Sequence, residues 1–496
     1  MMIQGRGNWV GGLWIKGGGA SLKSTNPATD HLAVFETQQT TAAQIDDAVR
    51  VAEEAFLGWS DRSLADRIAV FEPLEHIVKA RSQDLATAIS QEMGKPYRES
   101  LAEALSLPGK VRMSIAAVER LPDLALPGAP GVSRWEPHGV TAVIGPFNYP
   151  IHLVHTHVIP ALLAGSSVIV KPSEITPLSG QIYAEIMSEL QLPPGVFNLV
   201  QGDGTVGAAL STHRSVDAVA FTGSWNVGRR ILEANLDQPD KLLALEMGGK
   251  NTALVTDDAD LRQALHEIIV GVCLTSGQRC TATSRLLVHI DVANRLLDAL
   301  TIALQRIQPG DPFDDRSFMG PLGTHTAQQR LIQQLTQATA DGAEILVPVK
   351  TLPGGAYVTP SMFLVTSGTA DQTAHQELFA PHLTVETFND DQAAVDRLRQ
   401  SPYGLSFSVF SKNENRFKWF QKRVRSGIYN FNRSTNNASG LLPFGGVGKS
   451  GNHRPAGSAS ALYSAWPVAI LQRQPGALDP DPRVMEHVGD VLDTLQ

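Results

Sequence analysis

Between Thr141 and Thr256 the chain sets out six short runs rich in β-branched residues: TAVIGP, SSVIVKP, VFNLVQG, AVAFTGS, LLALEMGG and TALVTD. Helical stretches such as PLSGQIYAEIMSEL lie between them. Runs apolar on both faces, joined by crossovers long enough for a helix, require a parallel sheet covered on both sides, a doubly wound α/β unit. Such a sheet offers ligands the carboxyl ends of its strands, and Asn148, Lys171, Gly223 and Glu246 fall at those ends.

A chain of 496 residues exceeds what one core covers. A second alternation, from about Asp257 to Phe444, carries the strand candidates RLLVHI, LTVETF, LSFSVF and SGIYNFN and predicts a second α/β domain. The first hundred residues read as mainly helical: Ile45, Val49, Ala52 and Phe56 share one stripe, and a second helical stretch carries Pro73, which kinks or divides it before it stops at Gly94. LALPGAPGVSRWEPHG and ALYSAWPVAIL read as extended arms, and a Pro-rich acidic tail closes the sequence.

A net charge of −8 gives no electrostatic reason to expect nucleic acid or an anionic membrane as partner. No window approaches the roughly 20 apolar residues of a membrane span. The two cysteines, Cys273 and Cys280, form no disulfide framework and lack zinc-site spacing, so no metal and a reducing, cytoplasmic setting are expected.

Cys280 lies in the polar stretch TSGQRCTATSR, directly after Arg279. A thiol reacts as thiolate, so a nucleophilic cysteine needs amides, a helix N-terminus or a cation nearby; the other reading is a small buried hydrophobe, which suits Cys273 in EIIVGVCLT better. Glu246, an acid ending an apolar strand, suits a general base with a raised pKa, or an ion pair with Lys250. Asn148, between two prolines, is either an oxyanion donor or an Asx-turn residue. Lys171 and Glu174 could hold the hydroxyls of an adenosine ribose or be a solvated pair, and Gly223 and Gly228 could cradle phosphate or simply punctuate a turn.

Taken in order, GPFNYP, KPSE, FTGSWNVG, LEMGGK, GQRC, QELFAP and PFGGVGKSG resemble the NAD(P)-dependent aldehyde dehydrogenase superfamily, over nearly the whole chain from Asn26 to about Trp466. The resemblance implies a Rossmann-type NAD domain of residues 1–122 and 137–248 and a catalytic domain of 249–442. It further implies small β oligomerisation arms at 123–136 and 455–472, a tail at 473–496, and a homodimer or dimer of dimers. Cys280 would then attack the aldehyde, the Asn148 amide and the Cys280 N–H would hold the oxyanion, and Glu246 would activate the water that hydrolyses the thioester left after hydride transfer. Lys171 and Glu174 would hold the adenosine ribose, Gly223 and Ser224 the diphosphate, and Glu377 with Phe379 the nicotinamide ribose side, with Ser173, Gly204 and Gly228 further cofactor-binding residues. An acid at Glu174 favours NAD over NADP.

Within the superfamily, HVIPALLAG, KPSEITPLSG, LALEMGGKN and PFGGVGKSGNHRPAG are most similar to the subfamily acting on N-succinylglutamate 5-semialdehyde. That substrate carries several carboxylates, for which Arg279, Arg433 and Arg454 are candidate cations, each of which could instead be a structural salt bridge or a solvated end. Other readings are a dehydrogenase of another aldehyde, a CoA-acylating enzyme, which an acid at Glu246 disfavours, and a non-catalytic dinucleotide-binding protein.

Overall fold

The computed structural model describes residues 2–30, 32–366 and 375–495. Residues 367–374, inside the span expected to form the catalytic domain, lie outside the described residues. Two seven-stranded sheets organise the chain. In the first, parallel strands run in the order Leu242–Met247, Ala218–Gly223, Val140–Ile144, Ser167–Lys171 and Phe197–Leu199. Side chains alternate between two cores: Val143, Val168 and Val170 face one set of helices, while Ala142, Ile144 and Ile169 face another. Chain order reverses between Val140–Ile144 and Ala218–Gly223, which opens a crevice at their carboxyl ends.

The run TALVTD does not join this sheet. Only Gly248, Gly249 and Lys250 separate strand Leu242–Met247 from strand Asn251–Val255, far too few residues for a crossover between parallel neighbours. Asn251–Val255 instead pairs in parallel with Thr283–His289 and Ser406–Phe410 at the centre of the second sheet. His382–Phe388 and Ile428–Phe431 extend that sheet on either side.

The N-terminal expectation also needs correction: among the described residues, five short strands between Ile3 and Gln38 precede the first helix. Asn8–Val10 and Leu13–Ile15 form a hairpin across Gly11 and Gly12, pairing Trp9 with Trp14, and Trp9 pairs with Leu199 to extend the first sheet. Ser21–Thr25 alternates exposed and buried residues, a two-residue period too short-lived to outweigh the helical signal that follows it. Helices begin at Ala42–Ser60, started by a capping box between Thr41 and Gln44. Pro73 divides the second helical stretch into Leu64–Ala69 and Leu74–Met93, and Gly94 ends the latter in the left-handed conformation (φ 75°).

Strands Val132–Pro137 and Ala465–Ile470 pair with each other alone, as a two-stranded antiparallel ribbon. Near the C-terminus Pro482–Asp493 is helical with no buried residue. Among the described residues no helix is long and apolar enough to cross a membrane.

Candidate active site

Glu246 is the next-to-last residue of strand Leu242–Met247, in register with Thr222 beside Gly223. Its side chain is buried and its Oε2 has no hydrogen-bond partner. Burial holds its pKa well above the usual carboxylate range. The ion pair with Lys250 does not form: Lys250 donates to Thr384 Oγ1 (3.2 Å), and burial pushes its ammonium down to about 7.

Cys280 sits three residues before strand Thr283–His289, at the amino end of the second sheet, so the candidate catalytic residues come from opposite ends of two sheets. Burial, then the charges of Glu246 and Glu377, push its thiol up to about 12. The thiol is half-buried, whereas Cys273 is fully buried in the second core. The loop leading to it is strained: Thr275, Ser276 and Gly277 take successive φ values of 52°, 55° and 69°. A side chain at Gly277 would strike the backbone of Ala380. Thr275 Oγ1 donates to Glu99 (2.6 Å), Ser276 Oγ to the Gly320 carbonyl (2.8 Å), and Gln278 Oε1 accepts from the Gly323 N–H (2.9 Å).

Asn148 follows strand Val140–Ile144, and its Nδ2 donates to the Gln278 carbonyl (2.9 Å), which fastens its turn to the cysteine loop. Its own carbonyl accepts from Lys95 Nζ (3.2 Å), so the Asx-turn alternative gives way to a long-range clamp. Lys95 forms a fully buried ion pair with Glu103, whose Oε1 also accepts the N–H groups of Ile151 and His152 (3.0 Å each). Breaking such a pair leaves a buried charge uncompensated. Lys95→Met is therefore expected to destabilise the protein by about 3–5 kcal/mol, read as an earlier chemical-denaturation midpoint, whereas a surface change such as Arg50→Gln leaves it in place.

Arg279 resolves into a strap. Its Nη2 donates to Glu99 (2.8 Å), its Nε to Thr275 Oγ1 (2.9 Å), and its guanidinium lies 5.2 Å from the Tyr149 ring centroid. Lys95, Glu99 and Glu103 were missed in the sequence, although Glu99 and Glu103 stand four apart on helix Tyr97–Leu105 and so face the same way. Arg433 is exposed and reaches Asn437 (2.9 Å); Arg454 is exposed and lines a cavity beside His138, Tyr463 and Trp466 at the foot of the arm ribbon.

Lys171 is buried with its Nζ 3.2 Å from Glu174, which stays half-exposed at the strand end. Ser173 Oγ accepts from the Ile175 N–H (3.3 Å). Gly204 opens helix Gly204–Thr212 behind its cap Asp203, and Ser224 caps helix Trp225–Ala234. Side chains at Gly223 and Gly228 would strike Phe221 and Met247, so both glycines serve close packing at this strand–helix turn. Trp225 packs partly against the apolar cluster that holds Phe221 and Met247. Glu377 accepts from the Gly249 N–H (2.9 Å), and burial raises its pKa to about 7. Phe379, at φ 54°, meets Phe147 edge-on at 5.8 Å. Among the described residues no group of three or more His, Cys, Asp or Glu side chains is placed to hold a metal ion.

A model of the aldehyde dehydrogenase family matches residues 14–465. The chain is 38% identical over 470 residues to the N-succinylglutamate 5-semialdehyde dehydrogenase of Paraburkholderia xenovorans, covering 94% of this chain and 96% of that one. Among solved structures, the NAD-dependent aldehyde dehydrogenase of Sinorhizobium meliloti superposes with a TM-score of 0.91 at 29% identity, over 96% of each chain. The betaine aldehyde dehydrogenase of Staphylococcus aureus, in complex with NAD+, does so with a TM-score of 0.90 at 27% identity, again over 96% of each chain. Matched along nearly its whole length in sequence and fold, and carrying a half-buried thiol, a buried carboxyl with one oxygen unpaired and a clamped amide at the junction of its two sheets, this chain is an enzyme of the aldehyde dehydrogenase family.

Proposed function

We propose that the enzyme oxidises N-succinylglutamate 5-semialdehyde to N-succinylglutamate with NAD, through an acyl intermediate on Cys280. The observation that carries the reading is Glu246 Oε2, a buried carboxyl oxygen with no internal partner whose charge acts on the Cys280 thiol. A group buried unpaired costs stability, and it earns its position when a substrate or water supplies the partner.

In the free enzyme Cys280 is a neutral thiol; as its sulfur bonds to the aldehyde carbon its proton passes to water, and the oxyanion then re-forms the carbonyl as the aldehydic hydride leaves, giving the Cys280 thioester. The Asn148 amide has a second hydrogen beyond the one given to Gln278, and with the Cys280 backbone N–H it stabilises the oxyanion. A bound nicotinamide dinucleotide supplies the hydride acceptor. Its expected holders fit: a buried ammonium and a half-exposed acid for the ribose at Lys171 and Glu174, the helix turn at Gly223, Ser224 and Gly228 for the diphosphate, and Glu377 with Phe379 beside the nicotinamide end. Glu246 then takes a proton from the water that attacks the Cys280 thioester, a task suited to a carboxyl with a raised pKa. The acid at Glu174 supports NAD over NADP through repulsion of a 2′-phosphate. Arg279, Arg433 and Arg454 are proposed cations for the substrate carboxylates, with Glu99 competing for Arg279. The domains are proposed to divide at residue 248, and the ribbon of Val132–Pro137 and Ala465–Ile470 to join subunits, as its isolated pairing suggests.

The test compares kcat/KM for succinylglutamate semialdehyde, glutamate semialdehyde and an alkanal, each with NAD and with NADP. The expected result is a preference for the first aldehyde of at least about tenfold, and for NAD. An alkanal preference removes the substrate assignment and leaves the chemistry standing.

A further inference from the structure

Among the described residues five lysines are buried: Lys95, Lys110, Lys171, Lys241 and Lys250. Four have a partner. Lys95 pairs with Glu103, Lys171 with Glu174, Lys241 donates to the carbonyls of Ser211 and His213, and Lys250 donates to Thr384. Lys110, on helix Leu107–Val118 and 9% exposed, has neither a hydrogen-bond acceptor nor a carboxylate among the described residues. Burial pushes its ammonium down to about 8. The two acids of the preceding helix that point into the protein are already committed, Glu99 to Arg279 and Glu103 to Lys95. Its Nζ keeps a residual contact with solvent, and an ammonium largely withdrawn from water without a protein partner adds little to the fold until an anion arrives.

Its position ties it to the reacting centre from two sides. Its Nζ stands 3.2 Å from where a Cβ on Gly440 would lie, so the loop passes directly beside the ammonium and any side chain at 440 would crowd it. Gly440 belongs to the loop whose Asn436 accepts from Thr281 Oγ1 (3.0 Å) and whose Thr435 donates to the Thr281 carbonyl (2.7 Å), the residue next to Cys280. On the other side its charge acts on His152, and the His152 ring lies 6.0 Å from that of Tyr149, the residue next to Asn148. Its charge also acts on His155 and His157, neither of which brings negative charge.

We infer that Lys110 is the cation that receives a carboxylate of the substrate, and that it sets the preference of this enzyme for acidic aldehydes; the inference rests on the function proposed above and adds the residue that reads the acid. The aldehyde carbon sits at Cys280 while a carboxylate farther along the molecule meets the ammonium.

The experiment measures kcat/KM of wild type, Lys110→Met and Lys110→Arg with succinylglutamate semialdehyde, a simple ω-carboxylate semialdehyde and an uncharged alkanal, together with the melting temperature of each. Lys110→Met is expected to lose about 100-fold with the acidic aldehydes and far less with the alkanal, with Lys110→Arg recovering part of the loss. Its melting temperature is expected to stay level or rise, since an unpaired buried charge is removed; a structural lysine would show the reverse. If Lys110→Met does not fold, Lys110→Gln takes its place. A variant that keeps the acid preference, or loses equally on all three aldehydes, overturns the inference. Should wild type prefer a different acidic aldehyde, the substrate assignment falls, and the same comparison on that aldehyde decides Lys110. A wild type that prefers the alkanal to every acid overturns both.

Discussion

Cys280→Ala is expected to lower NADH formation by on the order of 10⁴-fold or more, because in the proposed mechanism every covalent step passes through its sulfur. Cys273→Ala is expected to keep turnover: that thiol is fully buried in the second core, and burial pushes it up to about 12. The Cys280 thiol is pushed equally high, by burial and then by the charges of Glu246 and Glu377, so it rests protonated at neutral pH. Thiolate fraction therefore climbs about tenfold per pH unit, and alkylation of the free enzyme by iodoacetamide should keep rising from about pH 7 to about pH 10 with no plateau. A plateau near neutral pH would mean that the Thr281 backbone N–H and the Arg279 charge, which lower the thiol pKa, outweigh burial and the two glutamates in the free enzyme. Arg279 is next in sequence, yet its guanidinium is held by Glu99 and Thr275.

Glu246→Gln is expected to slow steady-state turnover by about 10²–10⁴-fold while leaving thioester formation largely intact. The substitution keeps the shape of a buried side chain and removes only its ability to accept a proton from water. NADH should therefore appear in a rapid burst of one equivalent per active site and then almost stop. Loss of the burst itself would assign Glu246 to the attack by Cys280 instead of to hydrolysis. Full recovery of turnover on adding CoA would mark an acyl acceptor other than water.

The sheets were legible because their signal is local: β-branched runs and strand-end residues lie within a few positions of each other, and Glu246, Asn148 and Lys171 announce themselves by ending apolar strands. The strand at Asn251–Val255 was placed in the wrong sheet, although the three residues before it already forbid a crossover. The N-terminal strands escaped because two to six residues carry too few periods to compete with a helix of nineteen. What holds the site together was out of reach for a different reason. Glu99 grips Thr275 and Arg279 from about 180 residues away, and Lys95 reaches the Asn148 carbonyl across 53. Neither pairing leaves a local pattern. Lys110 is the extreme case, since its meaning lies in the absence of a partner once the chain has folded.

The most direct measurement is the mass of the Cys280 peptide from Glu246→Gln, acid-quenched during the burst with NAD and succinylglutamate semialdehyde. The expected peptide is heavier by one succinylglutamyl group, in amounts equal to the NADH formed, with the Cys273 peptide unchanged. An unmodified Cys280 peptide in the presence of burst NADH would contradict a cysteine-bound acyl intermediate.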